Sequence, residues 1–222
     1  MMMVFSPRDR CDLFVGPGCS ARPARLKALP YGTKDVENLS TPVRVSELFQ
    51  IRRGVRADAA ALAEFAARTF AETFGAANRP EDMAAHLASR YGIGQQAQEL
   101  ADPDVITLIA EAAGRLAGYA QVRRGLSPPD CVIGEAPVEL WRFYVDRPWH
   151  GRGLAQRLMA AVHKAARELD GRTLWLSVWE RNPRATVFYE RSGFHDVGTQ
   201  DFWLGTDRQT DRIMVARLSP SD

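Results

Sequence analysis

The chain has 222 residues, 45 % of them hydrophobic and 25 % charged, with a formal net charge of +2. That composition supports one good-sized soluble core, and it offers no membrane span, since the longest apolar stretches such as VITLIAEAA meet a charge well before the roughly 20 residues a spanning helix requires. A nucleic-acid-binding face is also disfavoured. The first 50 residues carry seven Lys or Arg against five Asp or Glu, and the remainder has 22 of each sign, so there is no general basic field.

Residues 1–48 are rich in Pro, Gly, Ser and Arg and show no period of 2 or 3.6. They are expected to be a flexible or partly ordered extension ahead of a single domain over residues 49–222. The apolar run at residues 13–15 is too short for a signal-peptide core, and cysteines at 11, 19 and 131 have no metal-ligand spacing. A cytoplasmic protein without a metal is the expectation. From residue 49 the pattern is regular: FQIRRGV is strand-like, Asp58 is placed to cap a helix, and AAALAEFAARTFAETF carries Leu62, Phe65, Ala66, Phe70 and Phe74 on one stripe, with Gly75 as the stop. A second helix is predicted over residues 81–91, and a short third over 95–100.

DVITLIAEAAGRLAGYAQVRRG reads as a hairpin turning at Ala113 and Gly114. PVELWRFYVD is a strand of β-branched and aromatic residues, and Leu154, Leu158, Val162, Ala165 and Leu169 mark a helix stopped at Gly171. TLWLSVW is the next strand. Asn182 and Pro183 then open a helix as N-cap and first helical residue, Gly193 closes it, and FHDVGTQDFWL and DRIMVARL are the last strands. Hairpins mixed with crossovers predict an α/β fold with a mixed sheet flanked by helices.

The turn WHGRGLA poses the functional question, because glycine is a poor helix former and two of them stand where a strongly helical run begins. One reading is a turn that needs glycine for positive φ. The other is a pyrophosphate cradle: helix-start N–H groups lack partners and carry positive potential, Gly151, Gly153 and Ala155 let a phosphate approach, and Arg152 and Arg157 add charge. A dinucleotide fingerprint fits less well, since it needs glycine where Gln156 stands, and a Walker loop is absent.

HGRGLA, with ELWRFYVD before it and NPRATVFYERSGF after it, resembles the GCN5-related N-acetyltransferase (GNAT) superfamily, whose signature is Q/R-x-x-G-x-G/A at a helix start; His150 takes the Gln/Arg position. The resemblance spans residues 50–218. It implies a central mixed sheet of about six to seven strands with about four helices, and acetyl-CoA as co-substrate. The strands ending FYV and beginning TLWLSV are expected to run parallel and splay, with the backbone of Phe143, Tyr144 and Val145 pairing with the pantetheine arm. The pyrophosphate falls to His150, Gly151, Arg152, Gly153, Leu154, Ala155 and Gln156, and Asn182 is expected to contact the cofactor arm.

The implied activity is direct acetyl transfer to a primary amine of a small molecule or peptide, with Tyr189 protonating the departing thiolate and Glu139, eleven residues before His150, as general base. The alternative is a non-catalytic acyl-CoA-binding or sensing module. Phe70, Phe74, His86 and Tyr91 are candidates for one acceptor wall, with Asp201, Phe202, Trp203 and Asp207 for the other. Partners are acetyl-CoA and the amine, with no nucleic acid and no membrane, and a homodimer is left open.

Overall fold

The computed structural model describes residues 49–204 and 207–219. The extension expected over residues 1–48 lies outside the described residues. The elements are β1 (Gln50–Arg53), α1 (Ala59–Phe74), α2 (Pro80–Arg90), α3 (Ile93–Ala101), β2 (Val105–Ala112), β3 (Arg115–Arg123), β4 (Pro137–Val145), α4 (Leu154–Glu168), β5 (Thr173–Trp179), α5 (Pro183–Arg191), β6 (His195–Leu204) and β7 (Asp207–Arg217). The strands form one sheet in the order β1-β2-β3-β4-β5-β7-β6, antiparallel throughout except for the parallel pair β4 and β5. The α/β class and mixed sheet are as the sequence predicts.

Side-chain alternation on the strands sorts two cores onto the two faces. Val138, Leu140, Phe143 and Val145 of β4 pack with Leu154, Leu158 and Val162 of α4. Tyr144 and Tyr119 face the other way and meet Leu62, Phe65, Phe70 and Phe74, the predicted stripe of α1. Trp175, Ile213 and Val215 form a third apolar cluster, with Val132 from the long loop before β4.

Three local readings differ from the sequence expectation. Helix α3 is a full nine residues, and its apolar signal is weak because two of its buried residues are the polar Gln96 and Glu99. Asp58 accepts the Val55 N–H at 2.8 Å and so caps a short 3₁₀ turn over Arg56–Asp58, while α1 follows without a side-chain cap. At the end of α4 the left-handed residue is Asp170, not Gly171; Gly171 is needed because a Cβ there would stand 2.6 Å from Val138 and 2.7 Å from the Ala166 carbonyl.

Glu99 is buried among polar partners. Glu99 takes hydrogen bonds from Gln95, Gln121 and Arg142, and Arg142 also donates to the Gln121 side-chain carbonyl at 2.7 Å. This joins α3, β3 and β4 through a buried ion pair, whose one-sided removal is costlier than its replacement. Glu99→Leu is therefore expected to lose about 3–5 kcal/mol, seen as a fall of the thermal midpoint on the order of 10 °C. Glu99→Leu combined with Arg142→Met should recover most of that loss in the same melting experiment.

Candidate active site

β4 and β5 pair only through Pro137 with Thr173, Val138 with Leu174 and Glu139 with Trp175. Both strands continue for several residues beyond that point, so their facing backbones part. The cause is in β4 itself. Leu140 pairs with Val122 and Arg142 with Gln121, leaving Trp141 as an extra residue opposite β3. Such a bulge bends its strand and strengthens its twist, and it lies directly after the last β4–β5 pair. Phe143, Tyr144 and Val145 follow on the splayed part, with their side chains buried in the two cores.

Trp141 is held from both sides. The guanidinium carbons of Arg123 and Arg142 each lie 3.8 Å from its ring centroid, a distance that admits one cation per face. Arg123 donates from Nε to Glu139 at 2.7 Å, and Glu139 is 1 % exposed. The residue expected as general base thus has an arginine partner and anchors one side of the bulge.

Val145 leads through a single 3₁₀ turn into the glycine-rich segment. Gly151 and Gly153 have φ of 73° and 81°, so the turn does need glycine conformationally. Gly153 caps α4 with no side chain, and the first intrahelical bond of the turn runs from Arg157 N–H to the Gly153 carbonyl at 3.2 Å. The N–H groups of Gly153, Leu154, Ala155 and Gln156 are therefore the four that a helix start leaves without intrahelical partners. A Cβ on Gly151 would meet nothing within 4 Å, which keeps this approach open.

Arginines surround that helix start. Arg152 lies over Trp149 at 5.8 Å, Arg157 over Phe49 at 4.8 Å, and Arg184 of α5 acts electrostatically on His150. His150 donates no charge: burial lowers its pKa, the hydrogen bond to Val145 opposing this, and its Nε2 lies 2.9 Å from the Val145 carbonyl. The histidine in the signature position ties the turn to the end of β4.

On the same face as α4, Tyr189 of α5 is fully buried between Phe143, Phe188 and Phe194. Its hydroxyl has no hydrogen-bond partner among the described residues, and burial pushes its pKa well above the usual phenol value, so it stays protonated. Asn182 caps α5 by accepting the Ala185 N–H at 3.2 Å. His163, on α4, packs edge-on to Phe194 and is a structural residue.

The residues expected at the acceptor lie on the opposite face. Phe70 stacks on His86 at 4.6 Å and contacts Phe74 and Tyr91, and of the second expected set Phe202 meets His86 at 6.5 Å. All five residues are buried. Asp201 is exposed and paired with Arg208 at 2.9 Å, while Trp203 is half exposed. A residue the sequence did not single out stands at the edge of this face. Asp211 of β7 is 0 % exposed; its Oδ2 accepts from Ser177 of β5 at 2.6 Å and its Oδ1 has no partner among the described residues. Nothing in DRIMVARL distinguishes Asp211 from a solvent-facing strand residue, and Ser177 lies 34 positions away.

The model of the acetyltransferase (GNAT) family matches residues 62–194. The chain belongs to this family. An uncharacterised N-acetyltransferase of Mycobacterium tuberculosis is 35 % identical over 72 % of the chain and 98 % of its own length. Spermine/spermidine N(1)-acetyltransferase of Bacillus subtilis is 34 % identical over 47 % of the chain and 65 % of that protein. Among solved structures, the PaiA N-acetyltransferase of Thermoplasma acidophilum in complex with coenzyme A superposes with a TM-score of 0.60 at 20 % identity, covering 76 % of this chain and 98 % of that one. GNAT membership accounts for the sheet order and the splayed pair; among the described residues no helix is long and apolar enough to cross a membrane and no cluster of His, Cys, Asp or Glu could hold a metal.

Burial of Asp211 in this GNAT domain raises its pKa from 3.8 to about 7, with Glu180 acting in the same direction and the Ser177 hydrogen bond opposing. Below the unfolded value both states hold the proton. As pH rises from about 4 to about 7 the unfolded chain releases it first, which favours unfolding. The thermal midpoint of the parent should consequently fall across that range relative to Asp211→Asn, with a constant gap of several degrees above it, as measured by calorimetry at a series of pH values.

Proposed function

We propose that this protein transfers the acetyl group of acetyl-CoA directly to a primary amine of a small molecule or peptide. The observation that carries the reading is the parallel pair that stops after three residues while both strands run on, together with the start of α4, which no side chain caps. An extended amide-bearing arm fits where the strands part by pairing with the β4 backbone at Phe143, Tyr144 and Val145, as an added strand would. Its pyrophosphate fits the N–H groups of residues 153–156, with His150, Gly151 and Arg152 completing the turn, and Asn182 lies at the start of α5 to contact the arm. When bound, acetyl-CoA supplies the activated thioester carbonyl.

Tyr189 is the proton donor to the departing thiolate. Its protonated, partnerless hydroxyl beside Phe143 favours an enzyme over a module that only binds, because a buried hydroxyl without a partner costs stability and a purely binding protein gains nothing from it. Glu139 serves by holding Arg123 against Trp141 at the bulge. The aromatic residues Phe70, His86, Tyr91 and Phe202 suit an acceptor with an apolar body, and the similarity to a spermine/spermidine N(1)-acetyltransferase supports testing polyamines among the cationic candidates. The balanced charge and the spacing of the cysteines suit a cytoplasmic protein that does not bind nucleic acid.

An acceptor panel of polyamines, aryl- and alkylamines and peptide N-termini, followed by release of thiol from acetyl-CoA, tests the activity and the acceptor class together. No thiol release with any amine would overturn the reading. Gly153→Asp should abolish acetyl-CoA binding in calorimetric titration, since it adds bulk and negative charge at the helix start; retained affinity would remove the phosphate site.

Tyr189→Phe should produce opposite changes in two measurements. It is expected to lower kcat by about 10- to 1000-fold with little change in cofactor affinity, and to raise the thermal midpoint, because it removes the partnerless hydroxyl while keeping the ring packing. A variant with unchanged kcat would assign the proton transfer to water.

A further inference from the structure

Resting on the amine-acetyltransferase reading, we propose that Ser177 and Asp211 form a proton relay that deprotonates the acceptor amine, with Ser177 Oγ touching the nitrogen and Asp211 holding the proton. Ser177 stands on β5 two residues beyond Trp175, the last residue paired with β4, and therefore where the two strands part. Its side chain shares a face with Trp175 and Trp179, the latter packed on Phe74 at 5.6 Å, so it points to the side of the sheet that carries the aromatic acceptor residues. Asp211 reaches this hydroxyl from the neighbouring strand at 2.6 Å.

A serine hydroxyl can accept a proton on oxygen only as it gives up its own, and the short bond to a carboxylate provides the outlet. The carboxylate is also suited to keep it. Deep burial with one oxygen unpartnered makes its charged form costly, so that its affinity for a proton is close to neutrality. Glu180 raises its proton affinity further, and the two arginines near it on β7 are paired with other carboxylates, Arg208 with Asp201 and Arg212 with Asp196.

The amine arrives as an ammonium ion; one N–H bond breaks, its proton goes to Ser177 Oγ, and the serine proton passes to Asp211, which becomes a carboxylic acid. The nitrogen electron pair forms the bond to the acyl carbon. The C–S bond breaks, its electron pair goes to sulfur, and sulfur takes the Tyr189 proton. The second nitrogen proton returns through solvent to Tyr189, and Asp211 gives its proton to solvent as the products leave. The sum is ammonium plus thioester giving amide, thiol and one proton.

The experiment is the pH dependence of kcat/KM, with the best amine from the panel, for the parent, Asp211→Asn, Ser177→Ala and the double variant, alongside calorimetric titration with acetyl-CoA. The parent should show an acidic limb near neutral pH. Each single variant should lose about 10²- to 10⁴-fold at pH 7 and lose that limb, with acetyl-CoA affinity unchanged. The double variant should be no slower than the worse single one, because the two groups act as a unit. Ser177→Ala guards against loss of folding at Asp211, since it leaves the carboxyl in place. An active parent whose variants keep its profile, or whose losses multiply in the double variant, would overturn the relay while leaving the acetyltransferase reading intact; a parent inactive on every amine would overturn that reading first.

Discussion

The bulge at Trp141 is the constraint on which the site depends. One extra residue in β4 turns that strand away from β5 just after Glu139, so that the one parallel pair of the sheet ends after three residues. The bulge is not left to backbone preference. Two guanidinium groups clasp the Trp141 ring, and each is fixed by a buried carboxylate: Arg123 by Glu139, Arg142 by Glu99. Buried ion pairs are weak contributors to stability compared with apolar packing, and one of their well-supported uses is to specify an arrangement. Here the arrangement specified is the parting of two strands.

Several polar groups have unmet hydrogen-bonding capacity among the described residues, including the four N–H groups at the start of α4, the Tyr189 hydroxyl on one face of the sheet and the Asp211 Oδ1 on the other. In a folding calculation each is a cost, since a buried polar atom loses water without replacing it. Their placement makes physical sense if a substrate completes the hydrogen bonds.

His150 shows how the fold absorbs a departure from a signature. In place of a long polar side chain extending into the turn, the imidazole bonds back to the last carbonyl of β4. Burial keeps it uncharged, and the positive potential at the turn comes from backbone N–H groups and from Arg152, Arg157 and Arg184. The positive character of the turn is thereby a property of backbone direction more than of any one side chain.

Much of the architecture was legible in the sequence, because it rests on short-range rules. Period-2 and period-3.6 patterns located the strands and the stripes of α1 and α4, and Asn182 with Pro183 located the start of α5. The glycines of HGRGLA marked the α4 start by the φ values only glycine adopts easily. Helix α3 was underread because its buried face is polar, which no hydrophobic period reveals. The partner of Glu139, the clasp on Trp141 and the pairing of Ser177 with Asp211 were decided only by tertiary structure. Each joins residues from different strands, and a charge on a strand looks alike in sequence whether it meets water or a buried partner. Burial and register, which set that difference, exist only once the sheet has formed.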